Sequence, residues 1–306
     1  METKVGDKGI RELSKRLFVL TFGRVHLRNN LYILFPLAYS VAVLIYYLVY
    51  GKVLALLPTL FFLGAVPIVA YLGSSKQMLK YWVSFISILL SYEALQGTVG
   101  SLAASVDIFA VYNVDKMIWG FNVTGWIQTA LKSPAMTTVT SIFYSLHFPL
   151  VVATCIVIWY AKKPLFGRYV TAMVLTSYAA LVTFILIPTA PPWYQGVATN
   201  LYQSAYVSAL PQGVLSIESF VDADKFAAFP SLHAAYAIIF SYFMIKVDRR
   251  LALVSIPITA GILFSTLYLG QHYLIDLIGG AIYALVPCLI AERFQIHIPG
   301  TQPKAP

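Results

Sequence analysis

The residues best suited to chemistry lie in two short segments of the last third of the chain. One is Phe-Pro-Ser-Leu-His, which ends at His233, and the other is Gly-Gln-His-Tyr-Leu-Ile-Asp, which contains His272 and ends at Asp276. His272 and Asp276 are four residues apart, so on a helix their side chains lie on one face. The carboxylate can then accept the Nδ1–H of the imidazole and leave Nε2 free to attack an electrophile. The pair predicts a nucleophilic histidine with an orienting carboxylate.

His233 is predicted to lie in the first turn of a helix that begins after Ser231. Free backbone N–H groups and the positive end of the helix dipole favour a phosphate at such a position. The role that suits His233 is therefore proton donor to a leaving oxygen. Ser231 either contacts the phosphate or caps the helix, a role that serine often fills.

The composition shows which solvent surrounds these residues. Of the 306 residues, 59% are hydrophobic and 11% are charged, and the mean hydropathy is +0.77. These values exclude an ordinary soluble domain. Because a span needs ~20 apolar residues, the sequence predicts an all-α polytopic membrane protein with about eight transmembrane helices. The predicted spans are residues 31–50, 53–72, 79–97, 136–160, 169–187, 228–246, 251–269 and 273–292.

The distribution of basic residues predicts the orientation. Most Lys and Arg residues precede the first span, lie in alternate loops or follow the last span, so both termini are predicted to be cytoplasmic. The loops 98–133 and 189–227 and both histidine segments then lie on the extracytoplasmic or lumenal face. This distribution explains the net charge of +9 without a nucleic-acid partner. The predicted divisions are a basic tail (1–30), two accessory helices (31–72), a six-helix core with both loops (73–292) and a second tail (293–306).

The two histidine segments together resemble the second and third signature motifs of the type 2 phosphatidic acid phosphatase (PAP2) superfamily. Those motifs are Pro-Ser-Gly-His and Ser-Arg-(x5)-His-(x3)-Asp. Within that superfamily the chain is most similar to the inositol phosphorylceramide synthase branch, through Thr-Ala-Pro-Pro-Trp-Tyr at 189–194, Leu232 in place of glycine, and residues 268–276. The resemblance implies a PAP2-type core and a metal-free mechanism. It also implies a phosphohistidine at His272, with His233 as acid and then base and Asp276 as orienter.

Two departures from the superfamily pattern concern cations. The first motif, Lys-(x6)-Arg-Pro, is missing, and Thr266 stands where the third motif usually has arginine. Such cations normally hold a phosphomonoester dianion through charge-assisted hydrogen bonds. Their absence favours a phosphodiester such as a phospholipid headgroup, although Lys225 could supply a charge. Headgroup transfer is therefore favoured over monoester hydrolysis.

Several loop residues either line a headgroup pocket or have a structural role. Pro192 could simply stop the fifth helix and stiffen the loop, and Trp193 and Tyr194 could be interfacial belt residues. Asp222 and Lys225, just before the sixth helix, could form a solvated surface or bind headgroup hydroxyls.

A Tyr-(x2)-His pair, Tyr144 and His147, resembles a pair in the same branch. It could line the headgroup pocket or make an interhelical hydrogen bond.

Other features have structural predictions. Gly279 and Gly280 are expected to allow close helix packing, and Asp115 is expected to be solvated in its loop. The triplet Asn122-Val123-Thr124 is a glycosylation sequon whose aromatic neighbours suggest a segment that lies on the membrane. Both cysteines lie inside predicted spans and are expected to act as small apolar side chains.

The predicted function is an integral membrane phosphotransferase that moves a phospho-headgroup, phosphoinositol by the resemblance, between lipids. Its partners are a phospholipid donor and either a lipid hydroxyl or water as acceptor. A lipid phosphate or polyprenyl pyrophosphate phosphatase and a non-catalytic lipid-binding protein are the alternatives. No cofactor or metal is expected, because the sequence has no carboxylate cluster to form an oxygen cage for Mg²⁺ or Ca²⁺.

Overall fold

The computed structural model describes residues 85, 109–202 and 226–293, and from residue 109 onwards these belong to one compact unit. The predicted spans 31–50 and 53–72 lie outside the described residues, as does nearly all of 79–97. Asp222 and Lys225 also lie outside them. The helices of the described part are α1 (Ala110–Trp119), α2 (Val123–Leu131), α3 (Pro134–Ser145), α4 (His147–Ala161), α5 (Phe166–Leu186), α6 (Leu232–Val247), α7 (Ala252–Tyr268) and α8 (Leu274–Arg293).

Three described segments are long and apolar enough to cross a membrane: Lys163–Leu186, Arg249–Tyr268 and Leu274–Arg293. The first consists of a 3₁₀ turn followed by α5, the second of a 3₁₀ turn followed by α7, and the third is α8. The bent pair α3 and α4 supplies a fourth if it is one span. Helix α6 is apolar but has only 16 residues, fewer than the ~20 that a span needs. The described residues therefore form an all-α integral membrane protein, while the total of eight spans stays a prediction.

The predicted span 136–160 is broken in the structure. Helix α3 ends at Ser145, α4 begins at His147, and the two axes differ by 50°. Pro149 lies in the first turn of α4 and has no N–H to donate to the carbonyl of Ser145, so the helix cannot continue through this point. The prediction of one continuous helix was wrong here, because the apolar run does not reveal the break.

The predicted loop 98–133 contains two short helices. Gly120, which has a left-handed φ of +77°, follows the last residue of α1. Asn122 caps the start of α2, because its side chain accepts a hydrogen bond from Gly125 N. With 10 and 9 residues, both helices are too short to cross a membrane. Helix α1 packs against α8 and α2 packs against α7, so both helices touch the elements that flank the His272 segment.

Helix α6 is the centre of the bundle and packs against α4, α5, α7 and α8. Its start lies very close to α8. A Cβ on Gly280 would collide with the backbone oxygen of Ser231, and a Cβ on Gly279 would lie 2.7 Å from the ring of Phe229. The prediction that these two glycines allow close packing is confirmed.

Candidate active site

His272 lies in a tight turn between α7 and α8. The backbone N–H groups of Gln271 and His272 both donate to the carbonyl of Thr266, at 3.0 and 3.2 Å. Gly270 has a φ of +80°, and a Cβ there would lie 2.5 Å from the carbonyl oxygen of Thr199. Both the left-handed backbone and the crowding require glycine. The turn thus holds His272 just before α8 and not within it, in agreement with the predicted spans 251–269 and 273–292.

His272 and Asp276 form a buried pair. His272 is 6% exposed and Asp276 is fully buried. Nδ1 of His272 lies 3.4 Å from Oδ2 of Asp276, and the same oxygen accepts a hydrogen bond of 2.8 Å from the backbone N–H of Tyr273. Nε2 of His272 makes no hydrogen bond within the part of the chain that the structure describes. Catalytic hydrogen bonds are often long without substrate, so the geometry suits an imidazole whose Nε2 points to a reaction partner.

His233 lies near this pair, in the first turn of α6. Ser231 caps the helix, because its Oγ accepts from Ala234 N at 3.3 Å, and its own N–H donates to the carbonyl of Asp276 at 3.0 Å. The start of α6 is thus hydrogen-bonded to the start of α8. The ring centroids of His233 and His272 are 5.7 Å apart, close enough for both imidazoles to reach one phosphoryl group.

Tyr144 and His147 lie on either side of the break between α3 and α4, and both contact His233. Each ring centroid is 4.1 Å from the His233 centroid, with interplanar angles of 19° and 33°. The row of rings continues to Tyr202 on one side and to Tyr236 on the other. The structure therefore places the predicted Tyr-(x2)-His pair directly against the proposed acid. These contacts with His233 are ring to ring.

The loop after α5 reaches the same turn. The backbone N–H of Trp193 donates to Gly270 O, and its Nε1 donates to Gln271 Oε1, both at 3.2 Å. Trp193 is thus fixed next to the residue that precedes His272. Pro192 is buried, whereas Tyr194 is 43% exposed and contacts Trp193 and Phe226 edge to face.

Thr266 is fully buried and its hydroxyl donates to the carbonyl of Leu263 at 2.8 Å. Its carbonyl accepts the two amides of the His272 turn, so the residue serves the turn through its backbone. Residues 226–245 and 251–292 contain no Lys or Arg. The segments that carry both histidines and Asp276 therefore offer a phosphate imidazoles and helix-start amides, and no cation of their own.

Asp115 is a residue that sequence reasoning missed. It was predicted to be solvated, but it is 1% exposed, and its Oδ1 accepts a hydrogen bond of 2.9 Å from Ile275 N, in the first turn of α8. Burial raises the pKa of this carboxyl, and hydrogen bonds from Ile275, Trp119 and Leu274 partly offset that rise. Asp115, which lies far from α8 in the sequence, thus caps the start of α8, the helix that carries Asp276. Asp115 is four residues from Val111, the other buried residue of α1. This spacing places both side chains on one face of a helix, and it could have indicated that Asp115 is buried.

Helix α2 supports the His272 turn with polar side chains. The hydroxyl of Thr124 donates to His272 O at 3.0 Å. Gln128 Nε2 donates to Thr199 O and Tyr268 O at 2.8 and 2.9 Å, and its Oε1 accepts from Thr199 N. Asn122 of the sequon donates to Val197 O at 2.6 Å. Both polar side chains of the sequon therefore make internal contacts that hold this region together.

Within the described ranges, no three His, Cys, Asp or Glu side chains are grouped to hold a metal ion. The chemistry available from the assembled residues is nucleophilic attack by an imidazole and proton transfer by a second imidazole. A carboxylate orients the nucleophile.

Comparisons with known proteins agree with this chemistry. The family model described as PAP2 superfamily matches residues 110–290, more than half of the chain. The chain is 28% identical over 215 residues to a phosphoinositol dihydroceramide synthase of Bacteroides thetaiotaomicron, covering 64% of this chain and 70% of the relative.

Two fungal relatives match shorter stretches. The chain is 28% identical over 121 residues to the catalytic subunit of inositol phosphorylceramide synthase from Schizosaccharomyces pombe, covering 36% of this chain and 28% of the relative. It is 31% identical over 109 residues to inositol phosphorylceramide synthase from Candida albicans, covering 32% of this chain. This second match spans 23% of the relative. The chain therefore spans only about a quarter of the length of each fungal protein. No solved structure matches the chain significantly. The chain thus belongs to the PAP2 superfamily and is a lipid phosphotransferase or phosphatase of the PAP2 type.

Proposed function

We propose that this protein transfers a phosphodiester headgroup from a phospholipid to the hydroxyl of a second lipid through a covalent histidine intermediate. Nε2 of His272 attacks the phosphorus, the bond to the lipid alcohol breaks, and His233 gives its proton to the departing oxygen. In the second half, His233 takes the proton of the acceptor hydroxyl, which attacks the phosphohistidine and releases His272. Asp276 holds the tautomer of His272 that carries hydrogen on Nδ1.

The observation that carries the proposal is the buried pair of His272 and Asp276 beside His233. One carboxylate oxygen faces Nδ1 of His272 at 3.4 Å, which leaves Nε2 as the reactive nitrogen. The two imidazoles belong to different helix starts, and the hydrogen bond from Ser231 N to Asp276 O ties those starts together. Nucleophile and acid are thus positioned by backbone rather than by flexible side chains.

The donor is proposed to be a diester that carries phosphoinositol, and the acceptor a ceramide-type alcohol. The names of the bacterial and fungal relatives supply these classes. The charge of the site agrees with a diester, because a monoanionic phosphorus needs fewer cations than the dianion of a monoester. Trp193, Tyr194, Tyr144, His147, Ser231 and Thr266 are proposed as headgroup contacts, together with Asp222 and Lys225 from outside the described residues.

A leaving-group experiment separates the two histidines. Purified wild type, His272→Ala and His233→Ala are given a labelled inositol phospholipid and a short-chain ceramide in buffer with a chelator. New inositol-bearing lipid and free phosphate are both measured. Wild type should make the new lipid, and both variants should lose at least about 10³-fold in rate. An aryl phosphodiester, whose phenolate leaves without a proton, should restore the first step in His233→Ala but not in His272→Ala.

Three results would overturn this mechanism. The first is normal turnover by His272→Ala, and the second is equal rescue of both variants by the aryl ester. The third is efficient release of phosphate from phosphatidic acid without any headgroup transfer, and in that case the phosphatase function would replace the transferase.

The active site is proposed to open on the extracytoplasmic or lumenal face. Cysteine at Tyr194, which is exposed beside the site, should react with an impermeant thiol reagent from that face. Arg249 lies just before the start of α7, whereas the His272 turn follows the end of α7. Cysteine at Arg249 should therefore react only after the membrane is opened. The reverse pattern would place the active site on the cytoplasmic face.

A further inference from the structure

A basic cavity of about 540 Å³ lies at the end of the bundle away from the histidines. Four helix ends meet around it, and each contributes one cation. These are Lys162 after α4, Arg168 in the first turn of α5, Lys246 in the last turn of α6, and Arg249 before α7. None of these residues belongs to the proposed catalytic site.

The positions of two of these cations are fixed by one carboxylate. Glu292 of α8 lies 3.0 Å from Nη1 of Arg168 through one oxygen and 3.0 Å from Nζ of Lys246 through the other. One carboxylate therefore forms ion pairs with two cations, which leaves one positive charge of the three groups without a counter-charge. Lys162 Nζ donates to the backbone oxygen of Lys246 at 2.7 Å, so it also lies at the cavity wall.

The cavity keeps a positive balance when the remaining acid is counted. Asp248 lines it, but its Oδ1 accepts the backbone N–H of Arg250 at 2.8 Å. Four cations thus stand against Asp248 and Glu292. Glu292 and Asp248 together leave positive charge unmatched, and this charge is available to an anionic ligand.

The cavity lies at headgroup depth. Two candidate spans, Lys163–Leu186 and Arg249–Tyr268, begin there, and Leu274–Arg293 ends there. Two cations at this end of the bundle contact aromatic rings of the kind common at membrane interfaces: Lys163 Nζ is 4.4 Å from the Trp159 ring centroid, and Lys246 Nζ is 5.1 Å from that of Tyr242. Thirteen residues of α6 separate His233 from Lys246, which at 1.5 Å per residue is about 20 Å.

We propose that this cavity binds the phosphate of an anionic phospholipid headgroup, in the leaflet opposite to the one that faces the catalytic histidines. Basic pockets between membrane helices are suited to such headgroups, and the Arg and Lys side chains supply charge-assisted donors to phosphate oxygens. Because the cavity lies about 20 Å from His233 along α6, the lipid is bound at a second site and is not turned over there. Its contacts join α4, α5, α6 and α7 at the end where Glu292 already links α5, α6 and α8.

The test uses the full-length protein and two double variants that change the same charge. Lys162→Gln with Arg249→Gln removes two cations from the cavity, and neither is paired to Glu292. Lys163→Gln with Arg250→Gln removes the two neighbouring cations, which do not line it. Binding of phosphatidylglycerol and of phosphatidylcholine with the same acyl chains is measured by native mass spectrometry and by the shift in melting temperature.

Wild type and the neighbouring double variant should retain phosphatidylglycerol in preference to phosphatidylcholine. The cavity double variant should bind phosphatidylglycerol about tenfold more weakly or worse, since each cation near an anionic headgroup contributes on the order of fivefold. Equal losses in both double variants would indicate only a general surface charge and would overturn the site. Equal retention of both lipids by wild type would overturn it as well.

Inorganic phosphate and glycerol phosphate form a separate arm of the experiment. If either one alone, at millimolar concentration, reproduced the full shift given by phosphatidylglycerol, the cavity would be a site for a soluble phosphate and the lipid proposal would be wrong. Transfer activity in the lipid assay above is measured on the same variants. Loss of binding with the catalytic rate retained separates this site from the proposed catalytic function.

Discussion

Helix α8 carries one carboxylate near each end, and the two have opposite surroundings. Asp276 is fully buried and contacts one imidazole and one backbone amide. Glu292 is 23% exposed at its side chain and contacts two cations and the hydroxyl of Tyr242. Within one helix, the end that carries Asp276 is buried, and the end that carries Glu292 is partly exposed and lies among basic side chains.

The difference is what we expect if the two ends of α8 serve the two proposed sites, one for chemistry and one for lipid binding. A carboxylate between two cations is already neutralised and would be a poor partner for an imidazole. Within the described ranges Asp276 contacts no Lys or Arg, so in the proposed mechanism its charge is available to orient His272 and to stabilise the imidazolium that forms during proton transfer. Glu292 instead holds Arg168 and Lys246 by ion pairs at the end that is proposed to lie at headgroup depth.

The largest expected effect comes from removing the charge of Asp276. Asp276→Asn keeps the shape of the side chain but can no longer fix the tautomer of His272, so the transfer rate should fall by about 10³–10⁴-fold. The melting temperature should stay close to that of wild type, because Tyr273 N can still donate to an amide oxygen. A rate within tenfold of wild type would contradict the role given to Asp276.

A methyl group on Gly280 should separate the two helix starts. Its Cβ would collide with the backbone oxygen of Ser231 and approach Ala234 Cβ to 2.9 Å, and neither neighbour can move without moving α6. Gly280→Ala should lose about 1–3 kcal/mol of stability and about 100-fold in rate, since a displacement of about 1 Å between reacting groups is enough. Gly279→Ala is the matched control, because its Cβ meets the movable ring of Phe229. Equal effects from both substitutions would mean that the Ser231 contact does not matter.

Loss of the cap that Asp115 provides should have a smaller effect. Asp115→Ala leaves Ile275 N without its acceptor and should cost about 1 kcal/mol of stability, with roughly a tenfold loss in rate. Asp115→Asn keeps an oxygen acceptor and should recover most of the rate. A merely space-filling role for Asp115 would instead give two variants with the same rate.

The same position gives a pH dependence. Burial raises the pKa of Asp115 in the folded protein, so its contribution to stability is complete below the pKa of the unfolded chain. That contribution is lost as the pH rises through the raised pKa. The melting temperature of Asp115→Asn relative to wild type should therefore increase from acidic to neutral pH. A constant difference across that range would show that Asp115 does not titrate in this way.

The smallest effect is expected at the other end of α8. Glu292→Gln breaks two ion pairs whose side chains are each about a quarter to a third exposed. Such pairs contribute little, so the loss should be about 1 kcal/mol or less, with the transfer rate unchanged. A rate loss comparable to that of Asp276→Asn would remove the distinction between the two ends.

The sequence predicted the second half of the bundle well, because its elements are long apolar runs with clear ends. The predictions 169–187, 251–269 and 273–292 agree within about three residues with α5, α7 and α8. The candidate site could also be located, since its histidines and carboxylate are rare polar groups among apolar neighbours. What each of these groups does stays a prediction.

The features that were missed depend on contacts between distant parts of the chain. Asp115 and Gln128 read as ordinary polar residues of a loop, and only their bonds to Ile275, Thr199 and Tyr268 show what they hold. The predicted spans 251–269 and 273–292 left His272 in the turn between them, but the tight shape of that turn was missed. It follows from the left-handed Gly270, whose packing against Thr199 has no signal in the local sequence.

The row of rings around His233 also makes this residue observable. Tyr144 lies nearly parallel to the imidazole at a centroid distance of 4.1 Å, so its ring current should shift the carbon-bound protons of His233 to high field in a nuclear magnetic resonance spectrum. The other histidine of the proposed reaction, 5.7 Å away and steeply inclined, lacks a tyrosine at this distance among its described ring contacts. Because His147 is also stacked, on Tyr236, isotope labelling of histidine in wild type and in His147→Gln would identify the His233 resonance. That resonance would then report, in a lipid nanodisc, when a bound headgroup disturbs the stack.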